Sequence, residues 1–180
     1  MKKLIAVAMF LVACIGANAQ IFVGGSLGFE STKATKDSDS QINWSIVPEI
    51  GYKINKSFSV ALQLGYSYED YDSGNYIDEN SLDMFLISPY VRYSFGKTGL
   101  AKFFVDCGGT ISIIGGAYEG YIWGAGLRPG IIIEASEKIS LVAKLGYLGY
   151  SANSDDLGGG SSFGFGLDNS NFSFGVFYNF

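Results

Sequence analysis

The sequence predicts an all-β fold: an eight-stranded antiparallel up-and-down transmembrane β-barrel over residues 20–180, preceded by a cleavable signal peptide over 1–19. Three observations predict it. Apolar residues alternate with polar or small ones over nearly the whole chain after its first 20 residues, the period of a strand with two different faces. The connections between alternating segments are short, then long, in turn, as in barrels that cross a bilayer. The chain also closes on NFSFGVFYNF, in which Phe172, Phe174, Val176, Tyr178 and Phe180 share one parity. A chain end normally frays and is polar, so this one reads as a strand whose apolar face extends to its last residue.

Met1-Lys2-Lys3 begins the N-terminal segment, Leu4 to Ala17 is apolar or small, and Ala17-Asn18-Ala19 supplies small residues at a cleavage site before Gln20. This is the pattern of a secretory signal, too short for a spanning helix. Leu11 to Cys14 fits a lipoprotein signal as a second reading. With 12 basic and 17 acidic residues, the chain becomes still more acidic when Lys2 and Lys3 are removed, which argues against nucleic acid as a partner. Cys14 would leave with the signal, so Cys107 would have no partner for an intramolecular disulfide. Beyond the signal no apolar run approaches the length of a membrane helix.

Strands are predicted at about 21–32, 42–54, 58–70, 82–95, 101–114, 121–135, 139–151 and 166–180. The second carries Trp44, Ile46, Pro48, Ile50 and Tyr52 on one parity; the fourth carries Phe85, Ile87, Pro89, Val91, Tyr93 and Phe95. NKS, GKTG and SEK make tight turns, while the stretches after Thr32, Glu69 and Asp155 are longer and rich in Asp, Asn, Ser and Gly. Pro48, Pro89 and Pro129 lack a ladder donor, so a bulge or gap is expected at each.

Two features place the apolar parity outside. Many glycines, among them Gly24, Gly51, Gly108, Gly126 and Gly130, lie on the polar parity. Inside a narrow barrel they make room for long neighbours. Trp44, Tyr52, Phe58, Tyr66, Tyr93, Phe95, Trp123 and Tyr147 lie near strand ends on the apolar parity, as aromatic belts at lipid interfaces do.

On the stretches VPEIGYKINKSFSV, ISPYVRYSFG and LGYLGY, the chain resembles the porin-like outer membrane β-barrel domain family, small bacterial barrels of the OmpX type. The resemblance implies residence in the bacterial outer membrane with both termini on the periplasmic side. It implies outer-membrane lipid and the barrel insertion machinery as partners, with Phe172, Phe174, Val176, Tyr178 and Phe180 as the assembly signal. It names no extracellular partner and no single job, because one fold hosts many.

The chain has no histidine, which removes the usual general base and the Ser-His and Cys-His pairs. The barrel lipases, palmitoyl transferases and deacylases rely on one, so no enzymatic activity and no cofactor are expected. Cys107 lies on the lipid parity and reads as a small apolar filler. Glu69, Asp70, Asp72, Asp78, Glu79 and Asp83 cluster around the second long loop. They read as a solvated acidic loop, with calcium as an alternative, although the regular calcium-loop spacing is missing. Lys56, Lys97 and Lys138 mark the tight turns.

The polar parity carries Glu30, Glu49, Glu69, Asp106 and Glu134, and an equal number of bases, Lys53, Arg92, Lys102, Arg128 and Lys144. A balanced, desolvated interior predicts an ion-pair network that plugs the barrel, formed by Glu49, Lys53, Arg92, Lys102, Asp106, Arg128, Glu134 and Lys144. The expected register sets Arg92 opposite Phe104 and diagonal to Asp106, giving an Arg92–Asp106 pair, with Lys102–Glu134 as a second. The function expected is a structural or surface-interaction barrel with acidic loops; the alternative is a small porin or narrow channel.

Overall fold

A strand with one apolar and one polar parity needs a different environment on each side. The computed structural model, which describes residues 20–32, 41–71, 80–116, 119–166 and 172–180, meets that need with a closed wall. Its strands are β1 (Ile21–Thr32), β2 (Gln41–Lys53), β3 (Phe58–Tyr71), β4 (Asn80–Thr98), β5 (Ala101–Gly116), β6 (Gly120–Glu134), β7 (Ile139–Leu145), β8 (Tyr147–Asn153), β9 (Gly160–Gly166) and β10 (Phe172–Asn179). Sequential strands from β1 to β6 pair antiparallel. At the tight-turn end the ring closes through β7 and β10 back to β1. At the long-loop end β6 pairs with β8, and β8 with β9. β7 and β8 are thus two halves of the seventh wall strand and β9 and β10 two pieces of the eighth. The result is a closed eight-stranded antiparallel barrel.

Two boundaries differ from those expected. The seventh strand is interrupted at Gly146, and the last begins at Gly160, not 166. The Gly/Ser stretch is therefore a compact turn, a single 3₁₀ turn at Asp155–Leu157 followed by left-handed Gly158 and Gly159, a conformation glycine adopts without steric cost. The signal segment 1–19 and the loop residues Asp72, Asp78 and Glu79 lie outside the described residues.

The barrel is apolar outside and polar within. Ile46, Val60, Phe85, Val91, Ile111, Trp123 and Leu141 are exposed on the wall, while Glu49, Ser88, Arg92, Asp106, Ser112 and Lys144 are buried in the interior. This inversion is what lipid around the wall requires. Glycine supplies the space inside. A Cβ on Gly51 would lie 2.1 Å from the Phe22 ring, one on Gly130 2.3 Å from Phe104, and one on Gly126 2.4 Å from Tyr147. The wall is thinnest near its closure: the β1–β10 ladder covers only Phe22–Gly25 among the described residues, and nearby Leu27, Phe163 and Phe174 are the most exposed large apolar side chains.

Each proline coincides with a gap on one side of its strand. Pairing of β2 with β3 skips from Ile46 to Glu49, and that of β4 with β5 skips from Ile87 to Tyr90. Beside Pro89, Ser88 Oγ donates to the Gly109 carbonyl at 2.9 Å. A side-chain donor so serves a backbone acceptor facing a residue without an N–H, in a wall where unsatisfied groups are costly. At Pro129 the break falls between Leu127↔Leu148 and Gly130↔Lys144. Two residues of β6 there face three of the seventh strand, a bulge at Gly146. The extra residue reverses parity, so Tyr147 turns inward rather than joining the lipid-facing belt as alternation from Ile139 suggests.

Candidate functional site

Four charged side chains from four strands meet in the middle of the barrel: Glu49 of β2, Arg92 of β4, Asp106 of β5 and Lys144 of β7, each 7% exposed or less. Arg92 holds Asp106 with two parallel bonds, Nε to Oδ1 at 2.7 Å and Nη2 to Oδ2 at 2.9 Å, the bidentate geometry that a planar fork and a carboxylate share. Lys144 Nζ lies 3.2 Å from Glu49 Oε2 and 3.6 Å from Asp106 Oδ2. Arg92 Nη2 is 3.7 Å from Glu49 Oε1. Two neutral groups complete the set: Tyr90 donates its hydroxyl to Glu49 Oε1, and Gln63 Nε2 donates to Glu49 Oε2 at 2.8 Å. The quartet is charge-neutral, as buried ions must be to persist at tolerable cost.

Aromatic and apolar residues surround it. The Arg92 guanidinium sits 4.1 Å over the Phe104 ring, and Lys144 Nζ 4.9 Å over the Tyr90 ring. Phe22, Phe104, Val142 and Phe177 form a buried apolar cluster, with Phe22 and Phe177 edge to face at 5.9 Å. On the tight-turn side of this layer is a cavity of about 470 Å³ bordered by Arg92, Phe22 and Phe177. On the long-loop side is one of about 440 Å³ bordered by Lys144 and Gln63.

An apolar wall, a polar core and this topology match one family. The model of the outer membrane protein β-barrel domain matches residues 5–180. The chain belongs to the outer membrane protein β-barrel domain family. Its fold is similar to Neisserial surface protein A, at 16% identity and a TM-score of 0.50, over 92% of this chain and 99% of that one. Similarity also extends to Ail of Yersinia pestis, solved in a phospholipid bilayer nanodisc (11% identity, TM-score 0.46, 91% of this chain and 100% of that one). The N-terminal β-barrel domain of OprF from Pseudomonas aeruginosa is similar too (16% identity, TM-score 0.43, 91% and 98%). No curated protein matches the chain in sequence.

Within this outer-membrane barrel the eight charged residues expected to form one network separate into levels. Glu49, Arg92, Asp106 and Lys144 come together. Lys53 instead donates to Asn179 Oδ1 at 2.7 Å. Lys102 donates to the Lys56 carbonyl at 2.6 Å, and Glu134 pairs with Lys97 at 2.5 Å on the exposed rim. The Lys102–Glu134 pair is therefore corrected to Lys97–Glu134: Lys102 faces Ile132 across the β5–β6 ladder. Arg128 donates to Ser88 Oγ at 3.3 Å and Thr110 Oγ1 at 3.0 Å.

The register behind Arg92–Asp106 also differs from that expected, because the two residues stand directly opposite each other. The hairpin begins with Thr98↔Ala101 and Lys97↔Lys102. Continued unbroken, that register would oppose Arg92 to lipid-facing Cys107. A bulge between Phe95 and Lys97 adds one residue, at Gly96 with φ 54°, and returns both charges to one face.

Of the assembly-signal residues, Phe174, Val176, Tyr178 and Phe180 lie on the exposed face of β10 and its end; the side chain of Phe172 is not among those described. Sequence reasoning passed over Phe22, Tyr90, Phe104 and Phe177 as interior residues. The usable signal was a large aromatic on the glycine-bearing parity.

Proposed function

We propose that this chain is an integral outer-membrane barrel whose interior is plugged, with a non-enzymatic structural or surface-interaction role through its acidic loops. The observation that carries the reading is the neutral Glu49–Arg92–Asp106–Lys144 quartet packed against Phe22, Phe104, Val142 and Phe177. Eight strands enclose little more than side chains fill, and this layer interrupts the lumen between the two cavities. In the same reading, residues 1–19 are a signal peptide cut after Ala19, both termini face the periplasm, and the terminal strand from Phe172 to Phe180 is read by the insertion machinery. The family and the fold support this reading.

Planar-bilayer recording on the purified barrel tests it. No steady, large conductance is expected; a steady open channel overturns the plug and promotes the alternative of a small porin, which the cavities entering from both rims favour. The mass of the mature N-terminus tests processing: Gln20 is expected, and an acylated Cys14 overturns it. Deleting Phe180 is expected to lower outer-membrane levels more than it lowers the stability of barrels already assembled, and equal levels refute the assembly role.

A further inference from the structure

We propose that the cavity on the long-loop side is a binding site for a small organic anion, a carboxylate carrying an apolar body, with Arg128 as its anchor. The proposal goes beyond the plugged reading and does not depend on it, because a conducting barrel would present the same cavity.

Arg92 and Arg128 occupy the same interior but are satisfied differently. Arg92 has a bidentate carboxylate. Arg128 has two neutral hydroxyls, Ser88 and Thr110, and the Tyr147 ring 5.4 Å from its guanidinium carbon. Among the described residues it makes no ion pair. A guanidinium offers five N–H donors, so two bonds leave three for a ligand. The cation is only partly exposed, and a partly desolvated charge gains from a counter-charge.

The cavity beside it has the size of a small-molecule site, about 440 Å³. Its lining is mixed. Arg128, Thr110 and Ser112 provide the cation and hydroxyls; Val47, Leu86 and Ile122 provide apolar surface on the inward parity. A planar carboxylate fits the guanidinium fork, and an apolar body contacts Val47, Leu86 and Ile122. An inorganic anion would use only the cation and hydroxyls. Lys144 borders the cavity but is committed to Glu49 and Asp106, which leaves Arg128 as the available charge.

The test is isothermal titration of the purified full-length barrel in nanodiscs at low ionic strength, with benzoate, its neutral counterpart benzamide, and sulfate. Saturable one-site binding of benzoate is expected, with benzamide and sulfate at least about 10-fold weaker, a difference of about 1.4 kcal/mol. Arg128→Gln is expected to weaken benzoate by about 10-fold or more. Arg128→Lys, which keeps the charge but not the fork, is expected to weaken it by less. Lys102→Gln, at the opposite cavity, is expected to bind as wild type does. Absence of saturable benzoate binding to the wild type overturns the proposal. So do sulfate or benzamide binding as tightly as benzoate, and benzoate affinity unchanged in both Arg128 variants.

Discussion

Arg92 and Arg128 are the same residue type inside one barrel, yet one is structural and the other is available. At the level of Arg92 the guanidinium is held by side chains of its own and other strands: Asp106 across the ladder, Tyr90 two residues away on β4, and Glu49 of β2. At the level of Arg128 the partners are hydroxyls of Ser88 and Thr110, and the space beyond is a cavity. The difference teaches that a charge in a narrow barrel is held within the wall's own network where register places opposite signs together and aromatic rings pack over the cation. Phe104 and Tyr90 do so around Arg92.

The sharpest way to break the comparison is to remove one partner at each level. Asp106→Ala leaves the Arg92 guanidinium buried without its bidentate partner and is expected to cost about 3–5 kcal/mol, read as a lowered urea midpoint in lipid vesicles. Arg128→Gln in the same assay is expected to cost about 1 kcal/mol or less, as for an ordinary hydrogen bond. Comparable losses at the two positions would remove the distinction.

Truncating the ring over Arg92 comes next. Phe104→Ala removes a ring that is 1% exposed, with an expected cost of about 3 kcal/mol. It also opens space beside the Arg92 guanidinium, so its bilayer conductance is expected to exceed that of the wild type; unchanged conductance would show that Phe104 does not separate the two cavities. A smaller effect is expected at the bulge. Gly96 has φ 54°, where a side chain costs about 1–2 kcal/mol, so Gly96→Ala is expected to destabilise by that amount. A neutral outcome would mean that the Arg92–Asp106 register does not depend on the left-handed residue. The smallest effect belongs to the rim. The Lys97–Glu134 pair is well exposed, and Lys97→Gln is expected to change stability by less than about 1 kcal/mol. A larger loss would place this pair with the interior quartet instead.

Much of the architecture was legible because a barrel wall is a local code. Period-two alternation assigns each side chain to lipid or lumen without reference to distant residues. That is why Ile46, Val91 and Leu141 were placed outside and Glu49, Arg92 and Lys144 inside. The three prolines were legible for the same reason, since a missing N–H disturbs its own ladder wherever the partner strand lies. Tyr147 was misplaced because the Gly146 bulge, opposite Pro129, reverses the parity within a single strand, and alternation carries no mark of an inserted residue.

By itself the sequence determined the class of the fold, its inside-out chemistry and the inward parity of Glu49, Arg92, Asp106 and Lys144. It could not determine which of them meet. Register is decided by bulges at Gly96 and Gly146, and closure brings Glu49 of β2 against Lys144 of β7, 95 residues apart. Ion pairs form over a few ångströms, and those distances exist only once the ring has closed. Tertiary structure therefore separated one expected network of eight charges into a buried quartet of Glu49, Arg92, Asp106 and Lys144, a Glu134 paired with Lys97 at the rim, Lys53 and Lys102 bonded to Asn179 and the Lys56 carbonyl, and an Arg128 facing a cavity.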